Sequence, residues 1–166
     1  MTHRSFRTLS AAASAFMLAT ALTQADQIRR MGPAQVPIDV SLKAGGEVFD
    51  AKGQGSCTHA PKASIYGVLS EMWSVTYKTD GRSVQLTLWK PSDGSASMFS
   101  LSLTTTKSTT VSTVRGGQVQ GNGTVTLAAS AKGGTFTIDA KGRTGEAVAG
   151  TIKCEAFTPA IAEGGN

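Results

Sequence analysis

An antiparallel all-β domain, a β-sandwich or small barrel of about seven to nine strands with one disulfide, is the fold this sequence predicts. Three observations carry that reading. Apolar and polar residues alternate with a period of two along most of the chain beyond residue 36. Turn signals recur between those runs. No stretch after Asp26 keeps apolar residues at i, i+3, i+4 and i+7 over three turns.

Taken in order, VPIDVSL and EVF open the domain as short strands. SIYGVLSEMW comes nearest to a helical pattern, but Gly67 weakens it, and one helical turn is the most it supports. MWSVTYK puts Trp73, Val75 and Tyr77 on one side, RSVQLTLWK does the same for Val84, Leu86 and Leu88, and ASMFSLSL for Phe99, Leu101 and Leu103. The Thr-rich LTTTKSTTVSTV follows, its β-branched side chains suited to the solvent face of a pleated strand. Val125, Leu127 and Ala129 then alternate in GTVTLAA, Phe136, Ile138 and Ala140 in GTFTIDA, and Val148, Gly150, Ile152 and Cys154 in AVAGTIKC. Between these runs stand KTDGR, KPSDGS, RGGQ, GNG, AKGG and KGRTG, which supply the positive-φ positions of tight turns. Asn122-Gly123 reads as a hairpin turn in preference to the glycosylation acceptor that Asn122-Gly123-Thr124 also spells. The final TPAIAEGGN reads as a frayed tail.

The N-terminus, MTHRSFRTLSAAASAFMLATALTQAD, sets His3, Arg4 and Arg7 ahead of an uncharged apolar run of about fourteen residues, Leu9 to Leu22. That is the layout of a secretory signal peptide, and the run is short of the roughly 18 to 20 residues of a spanning helix. Cleavage after Ala25 leaves 141 of the 166 residues, one domain's worth of chain. The expected organisation is a signal peptide at 1–25, an N-terminal extension and first strand at 26–45, the β-sandwich at 46–158 and a flexible tail at 159–166. The expected location is the periplasm or the exterior, with no stable membrane anchor. Loss of Arg4 and Arg7 brings Lys+Arg from 16 to 14 against 11 Asp+Glu, a mature charge of about +3. The basic residues are scattered, and only Arg29-Arg30 stand together, which argues against nucleic acid as a partner.

Cys57 and Cys154 are the two cysteines of the chain. Beyond a signal peptide, an even pair reads as a disulfide. Cys154 shares a pleat face with Val148 and Ile152 and so points inward, where a partner strand can reach it. His59 follows Cys57 by two residues, yet neither a haem-attachment signature nor a spaced Cys/His ligand set accompanies it. No Gly-x-Ser-x-Gly turn and no phosphate-cradling loop occurs, so no catalytic residue and no cofactor is assigned. Trp89 alternates out of phase with Val84, Leu86 and Leu88, either folded over a sheet end or exposed for glycans or proteins to stack on. Trp89, His59 and Tyr66 are the candidate binding residues.

A signal peptide, an extended polar lead, a cysteine early in a Ser/Thr/Gly-rich all-β domain and a second cysteine ending the last strand (GTIKCEAF) together resemble the small mycobacterial lipoprotein antigens. The likeness covers roughly residues 46 to 157. It implies a surface or periplasmic binding or interaction domain. Those antigens carry a lipidated cysteine after the apolar run, and none stands here, so membrane anchoring does not carry over. The expected function is thus an exported binding or interaction module for a protein, a glycan or a small apolar molecule. The alternatives are a small hydrolase whose site the sequence hides and, third, a metal-binding module using His59.

Overall fold

The computed structural model describes residues 34–115 and 119–161. The signal peptide expected at 1–25, its cleavage site, residues 26–33 of the extension and residues 162–166 of the tail lie outside the described residues. The described residues form ten strands: β1 Gln35–Ala44, β2 Glu47–Ile65, β3 Val68–Thr79, β4 Arg82–Pro91, β5 Met98–Thr104, β6 Ser108–Ser112, β7 Asn122–Ala129, β8 Gly134–Lys141, β9 Ala147–Cys154 and β10 Thr158–Pro159. No helix occurs among the described residues. The strands form one sheet in the order β6-β5-β4-β3-β2-β1-β9-β8-β7, with the short β10 beside β2. This is a meander whose first and ninth strands pair, so the sheet curls into a nearly closed barrel. One continuous sheet, and not two facing ones, therefore encloses the core.

The sheet order explains where closure stops. Every neighbouring pair along the path is antiparallel, so with nine strands the two edges, β6 and β7, run in the same sense. Completing the ring would need a parallel ladder between them, which a short connection does not allow. Across this seam the described residues make one bridge, Ser112 with Gln120, and Gln120 belongs to the connection instead of to β7.

Side chains inside the barrel come from alternate positions of every long strand, among them Val40, Leu42, Phe49, Val75, Leu86, Leu101, Phe136, Ile138 and Ile152, all buried. Gly53 and Gly55 make room for Tyr77: a Cβ on Gly53 would stand 2.8 Å from its hydroxyl, and one on Gly55 would stand 2.6 Å from Ile38. Phe49 is capped by the Arg82 guanidinium, 4.9 Å above its ring. At the same end Glu47, beginning β2, accepts hydrogen bonds from the hydroxyls of Thr105 and Thr106 and from the Thr106 N–H at 3.3 Å. That carboxylate ties the β1–β2 turn to the β5–β6 turn.

Three local expectations are corrected. SIYGVLSEMW contains no helical turn; Ile65 pairs with Val68 across a two-residue turn in which Tyr66 has φ +52° and Gly67 φ +77°. Both signs are opposite to a helix and fit a hairpin. Asn122 and Gly123 do not form a turn but start β7, opposite Lys141 and Ala140. Gly123 is needed for close approach, because a Cβ there would stand 2.4 Å from the Ala140 Cα. The chain at 158–160 is not a frayed tail: Thr158 and Pro159 pair with Thr58 and His59, and the Ala160 N–H donates to the His59 carbonyl at 2.9 Å.

Candidate functional site

β2 has 19 residues against 10 in β1, so it outruns its neighbour at one end of the barrel. Beyond Ser56 the place beside β2 passes from β1, whose first residue Gln35 pairs with Ser56, to the returning C-terminal segment and β10. The disulfide Cys57–Cys154 fastens this junction, joining β2 to β9 with Cα atoms 6.3 Å apart. Thr158 reinforces it by donating its hydroxyl to the Cys57 carbonyl at 3.1 Å.

Two residues past Cys57 on the same pleat face, the His59 side chain stands at the barrel mouth, 31% exposed. It lies directly opposite Trp73 of β3. Their rings stack with centroids 4.7 Å apart and planes 4° from parallel. The His59 Nε2 is 3.2 Å from a carboxylate oxygen of Glu71, two residues before Trp73. Phe157 tilts toward the imidazole at 6.5 Å and meets Phe136 edge-on at 6.0 Å. Opposite these residues the β7–β8 turn brings Ser130 and Lys132, and the space between is a cleft of about 410 Å³. Its lining combines aromatic surface with a few convergent polar groups, the composition of small-molecule sites.

The imidazole can donate or accept a hydrogen bond in this cleft and, protonated, forms an ion pair with Glu71. Ser130 lines the cleft, but its hydroxyl accepts the Gly133 N–H at 3.1 Å within its own turn. Among the described residues no group of three or more His, Cys, Asp and Glu side chains converges. His59 thus has one carboxylate beside it and no third ligand.

The other two candidate residues lie apart from His59. Tyr66, 58% exposed, occupies the β2–β3 turn in the left-handed conformation, which costs a non-glycine residue about 1 kcal/mol or more. It lines a second cleft of about 410 Å³ with Val68, Pro91 and Met98, and Leu69 beside it is 60% exposed. Trp89 is half-buried on the outer face, directly between Met72 of β3 and Met98 of β5, and lines neither cleft. Trp73 is buried at 8% exposure and forms part of the His59 cleft through its stacked ring. Glu71, Lys132 and Phe157 were not singled out from sequence. The available signal was that Glu71 shares a pleat face with Trp73, but only register sets that face against His59.

No known protein family, curated protein or solved structure matches this chain.

Proposed function

We propose that the protein is exported and acts by binding, with a small ligand held in the cleft between the β2–β3 arm and the β7–β8 turn. One observation carries the reading: His59 is fixed at the cleft mouth by its stack on Trp73 and its contact with Glu71, and Phe157 stands beside it. An aromatic lining with fixed hydrogen-bonding groups favours a ligand with a small apolar or aromatic body and one polar head. NMR screening of small aromatic and sugar fragments tests this. Aromatic fragments are expected to shift the His59 ring and Trp73 indole signals, and His59→Ala should abolish the effect. A screen in which nothing perturbs those signals would end the reading.

The His59–Glu71 pair also favours a second reading, a small hydrolase in which Glu71 orients His59 as a general base. Hydrolysis of a nitrophenyl ester that is lost in both His59→Ala and Glu71→Gln would establish it, and equal rates in all three proteins would remove it. Export is supported by the charged start and short apolar run of the sequence and by a disulfide of the kind that persists in oxidising compartments. The mass of the exported form should correspond to a chain beginning at or near Asp26; an intact Met1 would reverse the assignment.

A further inference from the structure

The second cleft is lined by two charged side chains that are engaged differently. Its walls include Ile65, Val68, Pro91 and Met98, and its volume of about 410 Å³ falls in the range of small-molecule sites. Two charged side chains reach it, Asp93 and Arg115. The Asp93 carboxylate is turned into its own loop, where it accepts the Ser95 N–H at 2.9 Å. Hydrogen bonds from the Ser95 hydroxyl and N–H hold its carboxyl below the ordinary range, so it stays ionised and locally engaged. Arg115 is exposed and, among the described residues, has no ion-pair or hydrogen-bond partner. The guanidinium is always charged and its fork matches a carboxylate in two parallel hydrogen bonds.

We propose that this cleft binds a free amphipathic carboxylate, its aliphatic body lying along Ile65, Val68, Pro91 and Met98 and its head on Arg115. Apolar walls alone would accept a chain of any charge; the Arg115 guanidinium, with no partner among the described residues, offers its donors to an acid, while the Asp93 carboxylate is engaged by Ser95. Tyr66 lines the same cleft.

The test is titration of the purified protein with decanoate, followed through the backbone amides of Ser95, Ala96 and Met98, with decyltrimethylammonium as the cation of similar length. Decanoate is expected to shift those amides saturably and to bind ~10-fold or more tightly than the cation, a difference one charge-assisted pair supplies. Arg115→Gln, at an exposed position, should weaken decanoate by a similar factor. Ala96→Trp, in the exposed loop, should block binding while keeping Arg115, and circular dichroism verifies that both variants are folded. Equal binding of the two amphiphiles, an Arg115→Gln effect within about twofold, or shifts confined to the His59 cleft would overturn the proposal. Association with phosphatidylglycerol vesicles without uptake of decanoate would also overturn it, in favour of a membrane surface.

Discussion

Trp73 and Trp89 sit on opposite faces of paired strands, and their burial follows from that parity. Trp73→Ala removes a packed indole and the platform under His59, an expected loss of ~3 to 5 kcal/mol. Trp89→Ala removes a ring lying on the outer face between two methionines and should cost clearly less. Urea titration of both variants compares them, and equal losses would contradict the assignment of faces. Gly55 makes a second residue-scale prediction. A methyl group there would meet Ile38 at 2.6 Å and the Thr76 carbonyl at 2.7 Å, and the carbonyl is backbone that cannot swing away. Gly55→Ala should therefore destabilise by ~1 to 3 kcal/mol, the range for overpacked cores, in the same urea assay. Gly46→Ala, with nothing within 4 Å but φ +89°, separates backbone strain from crowding.

The junction of β2, β9 and β10 has the most to lose from a single covalent change. The disulfide closes a loop with a sequence separation of 97, for which the chain-entropy estimate is about 4 to 5 kcal/mol as an upper figure. Cys57→Ser with Cys154→Ser should lower stability by a large part of that amount. It should also loosen the C-terminal segment, detectable as faster amide exchange at Ala160, whose N–H bonds the His59 carbonyl. Unchanged exchange there would mean that β10 holds without the bridge. On the outer face, Thr58, Ser74, Thr87, Ser100 and Ser112 stand side by side across five strands. Thr104, which ends β5 before its turn, and Thr124 and Thr126 of β7 do not join this row. Polar alternation was legible in those strands, whereas the row of hydroxyls arises only from register.

For the molecule as a whole, the Glu47 contact links two turns across one end of the barrel and makes stability depend on pH. Hydrogen bonds from Thr105 and then Thr106 lower its carboxyl below the ordinary value of 4.5. A carboxyl whose folded value is depressed binds fewer protons in the folded than in the unfolded chain. Its contribution is full above the unfolded value and is lost as the pH falls through the depressed one. Glu146, lowered by Thr144, acts in the same direction. The stability gap between the wild type and Glu47→Gln should therefore be greatest at neutral pH and close on acidification, as thermal melts from pH 7 to 3 would report. A gap independent of pH would assign the effect to packing.

The period-two runs and the turns at Asp80-Gly81 and residues 142–146 are local features, and they determined an all-β chain with Val84, Leu86, Phe136 and Ile152 inside. The pairing of Cys57 with Cys154 was legible too, because two cysteines beyond an expected signal peptide have one natural pairing. Tertiary structure decided what local pattern cannot hold. A hairpin turn and a helical turn both fit the apolar spacing around Gly67, and the long-range ladder of β2 with β3 selected the hairpin. Closure as one curled sheet, with its seam between β6 and β7, follows from the pairing of β1 with β9, more than 100 residues apart in the chain. That same long-range register stacked His59 on Trp73, set Glu71 beside it and returned Phe157 from the C-terminus. Side-chain alternation states which face a residue takes, while its partner on the next strand depends on a register fixed only when the whole barrel packs.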